Sequence, residues 1–106
     1  MEHEQIEMLD ELLEEDVVNF FKAIANKGRI KILYALKQHS LTVTEISEHV
    51  GMSQSAVSHH LKDLKMARLV SNKKEGRKVI YHLDDDHVHD LFDTAIEHVK
   101  EIYNYE

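Results

Sequence analysis

Cysteine is absent from this 106-residue chain, which excludes disulfides and thiolate chemistry. Proline is also absent, and the three glycines stand at positions 28, 51 and 76. So few breakers predict a mostly helical chain punctuated at those three points. No apolar run approaches the roughly 20 residues that a membrane-spanning helix needs, so no membrane partner is expected. No signal peptide heads the sequence, and with no cysteine that points to a reducing, cytoplasmic interior. A chain of this length holds one modest core and leaves no room for a separate catalytic domain, so no enzymatic activity is expected. Pairing with a second copy would add apolar burial that so short a chain lacks.

The formal net charge of −7 taken alone argues against nucleic acid, but its distribution argues for it. Residues 1–21 carry eight acids and no lysine or arginine. Residues 22–82 carry twelve lysines and arginines against four acids, and residues 83–106 return to eight acids with Lys100 alone opposing them. A polyanion responds to the nearest patch, because charges beyond about 8 Å are largely screened at physiological salt.

Apolar residues recur at helical intervals from Glu4 to Ala25 (Ile6, Leu9, Leu12, Leu13, Val17, Phe20, Phe21, Ile24), predicting a first helix over that span. Asn26-Lys27-Gly28 interrupts it, and a second helix is expected from Arg29 to Gln38. Thr42 with Glu45 fits a capping box and opens a third helix, which Gly51 ends; Ser53 then caps a fourth, about Gln54 to Met66. A short helix, a glycine turn and a second helix form a helix-turn-helix. Two β-rich runs around Glu75-Gly76-Arg77 follow, a hairpin in the position of a wing. A last helix begins in Asp84-Asp85-Asp86, and its apolar stripe (Val88, Leu91, Phe92, Ala95, Ile96, Val99, Ile102, Tyr103) is long for so small a domain and is read in part as a dimer face.

The expected fold is therefore mainly α with a small β-hairpin, a winged helix-turn-helix that dimerises through its N- and C-terminal helices. One domain spans 1–106, with the helix-turn-helix at about 42–66, the wing at about 69–83 and a C-terminal dimer and metal helix at about 85–104. The fourth helix offers Gln54, Ser55, Ser58, His59 and Lys62, hydrogen-bonding side chains of the kind a recognition helix presents to base edges. The wing offers Lys73, Lys74, Arg77 and Lys78, exposed cations suited to phosphate. Any one of these is unremarkable as a solvated side chain; together, after a helix-turn-helix, they favour double-stranded DNA.

Three stretches carry a family resemblance. Ala23 to Leu33 resembles an early "AL…R-I-x-I-L" signature, Ser53 to Leu64 resembles the recognition helix "S-Q-S-x-V-S-x-H-L-x-x-L", and Leu69-Val70 with Glu75-Gly76-Arg77 through Tyr81 resembles the wing, all of the ArsR/SmtB metal-responsive repressors. The likeness covers residues 17–103, with Gly28 and the missing proline departing from the commonest early signature. It implies a dimeric winged helix that binds an operator of inverted symmetry. The family's thiolate site falls here on Thr42 and Thr44, and a hydroxyl is a poor ligand for a soft metal. The family's zinc site on the last helix falls on Asp85, His87, His98 and Glu101 with its spacing kept.

His87 and His98 are eleven residues apart, about 16 Å along a helix, so one chain cannot bring both to one ion. Antiparallel pairing of two copies brings one chain's first pair to the other's second pair, giving two sites per dimer. Two imidazoles and two carboxylates suit Zn(II), and Co(II) similarly. Six-coordinate Ni(II) needs more donors, for which His3 or the N-terminus is a source, and His89 is an alternative to His87 in a shifted pairing. The resemblance also implies a contact from a ligand histidine to backbone near the end of the recognition helix, here from His98 to the Ala67–Arg68 region. The expected function is a repressor whose metal-free dimer binds operator DNA and releases it on binding zinc. The alternatives are a repressor sensing nickel, cobalt or a non-metal signal, a small metal-dependent hydrolase, and a protein-interaction adaptor.

Overall fold

The computed structural model describes residues 4–105. Five helices and one hairpin follow in the order α1 (Glu11–Ile24), α2 (Lys27–Gln38), α3 (Val43–Val50), α4 (Gln54–Met66), β1 (Val70–Glu75), β2 (Lys78–Leu83) and α5 (Asp86–Tyr103).

Local capping chemistry sets most of these boundaries. Thr42 Oγ1 accepts from the Glu45 amide while Glu45 accepts from the Thr42 amide, so the expected capping box starts α3. Those hydrogen bonds from Thr42, backbone first, hold the Glu45 carboxyl below its ordinary pKa. Gly51, at φ +71°, ends α3 in the left-handed region that glycine enters without a steric penalty. The Ser47 hydroxyl donates to the Met52 carbonyl and fastens the turn, and Ser53 caps α4 through the Ala56 amide.

Two sequence expectations are corrected at the amino end. Helix α1 begins at Glu11 rather than Glu4, because Asp10 takes the cap and accepts from the Leu12 amide. Residues 4–10 are exposed and non-helical, and the periodic Ile6 and Leu9 join no core among the described residues. Asn26 is likewise a start signal rather than part of an interruption: its side chain accepts from the Arg29 amide, and α2 begins at Lys27 with Gly28 inside its first turn.

The core is an apolar cluster drawn from α2 to α5 and the first strand: Ile32, Leu33 and Leu36 of α2, Ile46 of α3, Val57, Leu61 and Leu64 of α4, Leu69 and Val70 at the hairpin base, Leu41, and Val88 and Phe92 of α5, with Tyr81 and Leu83 of β2 packed against it. Each such side chain contributes about 1.5–3 kcal/mol on leaving water. The hairpin is antiparallel with Val70 opposite Leu83 and Glu75 opposite Lys78, and Gly76 turns it at φ +64°. Leu41 adds a short third rung, exchanging both backbone hydrogen bonds with Tyr81, at 3.0 and 2.8 Å. The wing is therefore tied to the entrance of the helix-turn-helix as well as to its exit. Helix α1 has no buried residue and stays on the body through the half-buried Phe20, Ala23 and Ile24.

Candidate nucleic-acid interface and metal-ligating helix

Gln54, Ser55, Ser58, His59 and Lys62 are all exposed on α4, and their spacing gathers them along the side away from the buried Val57, Leu61 and Leu64. Lys73 and Lys74 on β1, Arg77 in the turn and Lys78 on β2 are exposed as well. Lys73 is paired with Glu75 at 3.3 Å, which reduces its excess charge. Arg77 and Lys78 share a shallow groove of about 500 Å³ with Thr42, Thr44 and Glu45, so the wing tip faces the start of α3. The residues singled out from the sequence thus lie on two exposed surfaces, one on α4 rich in hydrogen-bonding groups and one on the hairpin rich in cations.

Behind α4 lies an arrangement that sequence reasoning missed. Arg29 of α2 donates from Nη2 to Asp63 Oδ2 at 2.6 Å, from Nε to His60 Nδ1 at 3.2 Å, and from Nη1 to the Ala23 carbonyl at 3.2 Å. Burial, then the Arg29 charge and His59, lower the His60 pKa, with Asp63 opposing. The signal in the sequence was Arg29 itself, a cation at the start of an apolar helix, but its partners lie 31 and 34 residues away.

On α5, Asp85 serves as N-cap: its Oδ1 accepts from the His87 and Val88 amides at 2.9 and 3.2 Å. Those bonds, the Val88 one foremost, lower the Asp85 pKa and keep it a carboxylate. His87 Nδ1 lies 3.4 Å from the same oxygen, and its side chain is 97% exposed. His98 and Glu101 are exposed near the other end of the helix. Among the described residues no three histidines or carboxylates of one chain come together as a metal-holding group. His89 is half-buried and points its ring toward Asp90 at 3.4 Å. His3 lies outside the described residues. Within one chain the groove beside Ala67 and Arg68, about 370 Å³, is lined by Asp84, Asp85 and His87 rather than by His98.

Between α1 and α5 runs a groove of about 330 Å³ lined almost wholly by apolar side chains, among them Phe21, Ile30, Leu91, Phe92, Ile96 and Val99. Leu12, Leu13, Val17, Val18 and Phe21 of α1, with Leu91, Val99, Ile102 and Tyr103 of α5, extend this exposed apolar surface. Such a surface on a small chain marks a site of association. No helix among the described residues is long and apolar enough to cross a membrane.

Comparison with known proteins agrees with this architecture. Residues 26–72 match the family model described as bacterial regulatory protein, arsR family. The HTH-type transcriptional regulator NmtR of Mycobacterium tuberculosis is 39% identical over 95 residues, covering 90% of this chain and 79% of the relative. A cadmium resistance transcriptional regulatory protein, a CadC homolog of Staphylococcus aureus, is 38% identical over 82% of this chain and 73% of its own. The homodimeric winged helix-turn-helix DNA-binding domain of a possible ArsR-family regulator from Mycobacterium bovis superposes with a TM-score of 0.78 at 32% identity, covering 86% of this chain and 88% of that one. Hairpin, helix pair and family match converge: the chain belongs to the arsR family of bacterial regulatory proteins, whose fold and role are those of DNA-binding transcriptional regulators.

Proposed function

We propose that the protein is a zinc-responsive transcriptional repressor whose metal-free homodimer binds double-stranded operator DNA and whose metal-bound dimer releases it. The observation that carries this reading is the division of four exposed donors between the two ends of α5, Asp85 and His87 at its start and His98 and Glu101 near its close.

A two-fold dimer built on the apolar α1/α5 surface is supported by the homodimeric Mycobacterium bovis relative. Antiparallel α5 helices in such a dimer set Asp85 and His87 of one copy beside His98 and Glu101 of the other, twice over. Two imidazoles and two carboxylates fit zinc, which favours nitrogen and oxygen ligands in a four-coordinate shell. The ion, when bound, supplies a cross-link between the two helices. Asp85 is suited to hold it because its carboxylate is kept ionised while one oxygen caps the helix. Asp85 and His87 also border Ala67 and Arg68 at the end of α4, so a change in how α5 is held reaches the recognition helix through a shared groove. A coupling of about 1–3 kcal/mol between metal and DNA would be ordinary for such a device. DNA is held by Gln54, Ser55, Ser58, His59 and Lys62 at base edges and by Lys73, Lys74, Arg77 and Lys78 at phosphates. The regulated genes would serve metal export or storage, as the cadmium-resistance name of one relative suggests. Co(II) suits the same donors, and Ni(II) requires additional ones.

A gel shift on the protein's own upstream DNA tests this, first with chelator and then with buffered zinc. The parent is expected to shift the DNA without metal and release it with zinc, while His98→Ala stays bound in both. Release of DNA by His98→Ala at the parent's zinc concentration would overturn the proposed site.

A further inference from the structure

The Arg29 side chain joins three helices. It grips α4 at His60 and Asp63, belongs to α2, and donates to the Ala23 carbonyl in the last turn of α1, where carbonyls have no partner inside the helix. Helix α1, with no buried residue, has few other attachments to the body. If α1 contributes to the dimer face and α4 reads DNA, the distance and tilt between the two recognition helices depend on how firmly each α4 is held to its own α1. An inverted repeat accepts one such spacing.

We propose that Arg29 is a positioning residue for operator binding, its guanidinium fixing the recognition helix against α1 through His60, Asp63 and the Ala23 carbonyl. The proposal rests on the repressor reading above.

The chemistry asks for arginine. Three acceptors in diverging directions match a planar fork, and a lysine ammonium on a flexible stem does not reproduce it. Gly28 makes room: a Cβ there would stand 3.0 Å from His60 Nε2 and 3.2 Å from Met52 Cε. His60 must be neutral, because its Nδ1 accepts from Arg29 Nε and an imidazolium would turn an N–H and a like charge toward the guanidinium. The charged or titratable groups facing His60 are Arg29 from α2 and His59 and Asp63 from α4. Since burial and Arg29 depress its pKa below the ordinary 6.5, the arrangement is intact at neutral pH and fails only as pH falls through that lowered pKa.

The test uses two duplexes of equal length at constant salt: one enriched from a random pool by the parent protein, the other unselected. Binding is followed by fluorescence anisotropy from pH 7.5 to 5.5. Arg29→Lys is expected to weaken binding to the enriched duplex by about tenfold and to the unselected one by less than about threefold, since positioning acts on specific binding. His60→Asn, whose amide oxygen stands where Nδ1 does and can accept from Arg29 without titrating, is expected to bind the enriched duplex much as the parent does at pH 7.5 and to keep that affinity as pH falls, where the parent loses it. Parental preference in Arg29→Lys, or a parental pH profile in His60→Asn, overturns the positioning role alone. If the pool yields no enriched duplex, the repressor reading fails and this proposal with it. Circular dichroism monitors folding, and were Arg29→Lys unfolded, the His60→Asn profile decides.

Discussion

Lys37 Nζ lies 2.9 Å from Asp93 Oδ1, an ion pair that ties α5 to α2. The bond to Lys37, then its charge, hold the Asp93 carboxyl below its ordinary pKa of 3.8. A depressed carboxylate contributes stability above its unfolded-state pKa and loses it as pH falls through the folded-state value. Asp93→Asn is therefore expected to melt below the parent at pH 7, with the gap closing as pH drops under 4. Thermal unfolding at stepped pH checks this, and a gap independent of pH would assign the effect to packing.

Arg68 sits at φ +60°, one residue past the C-cap of α4, where Leu69 donates back to the Leu64 carbonyl at 2.9 Å. Glycine usually fills such a position because an L side chain there costs about 1–2 kcal/mol. Arg68→Gly is expected to raise the urea midpoint by the equivalent of about 1 kcal/mol, less the added chain entropy of glycine. Because Arg68 borders the groove holding Asp85 and His87, the same variant tests whether that corner serves regulation: a gain in stability with weaker zinc-dependent release would show that it does.

Thr42→Ala removes one half of the capping box and is expected to cost about 1 kcal/mol in chemical denaturation. The loss falls at the start of α3, next to the Leu41 rung and the wing groove. Asparagine in place of Thr42 should recover most of it, since its side chain can accept from the Glu45 amide in the same way.

What the sequence made legible follows from the range of each interaction. The starts of α3 and α4 at Thr42 and Ser53 were readable because a cap and its amide are three residues apart. The start of α1 was not, because Ile6 and Leu9 continue the periodic face of the sequence although they join no core among the described residues, while Asp10 caps the helix and sets its start locally. Asn26 reads as a break because Gly28 stands two residues on, although the bond that matters is the Arg29 amide donating to the Asn26 side chain. The Leu41–Tyr81 rung has no local trace, and Arg29 gives no sign of its partners His60 and Asp63, since only the fold brings these residues together. The four α5 donors were legible by spacing, yet no single chain unites them.

The division of the four donors between the two ends of α5 can be tested by complementation. Let one variant carry Asp85→Ala with His87→Ala and another carry His98→Ala with Glu101→Ala. Each variant's homodimer keeps only half of every proposed shell, so neither is expected to bind zinc tightly. In a mixed dimer the intact first pair of one chain meets the intact second pair of the other, and the mutated pairs meet each other. Subunit exchange between the two variants should therefore restore one tight site per mixed dimer, half the parent's number, read by zinc titration against a competing chelator. A site built within one chain predicts no recovery on mixing, because no chain in the mixture carries all four ligands.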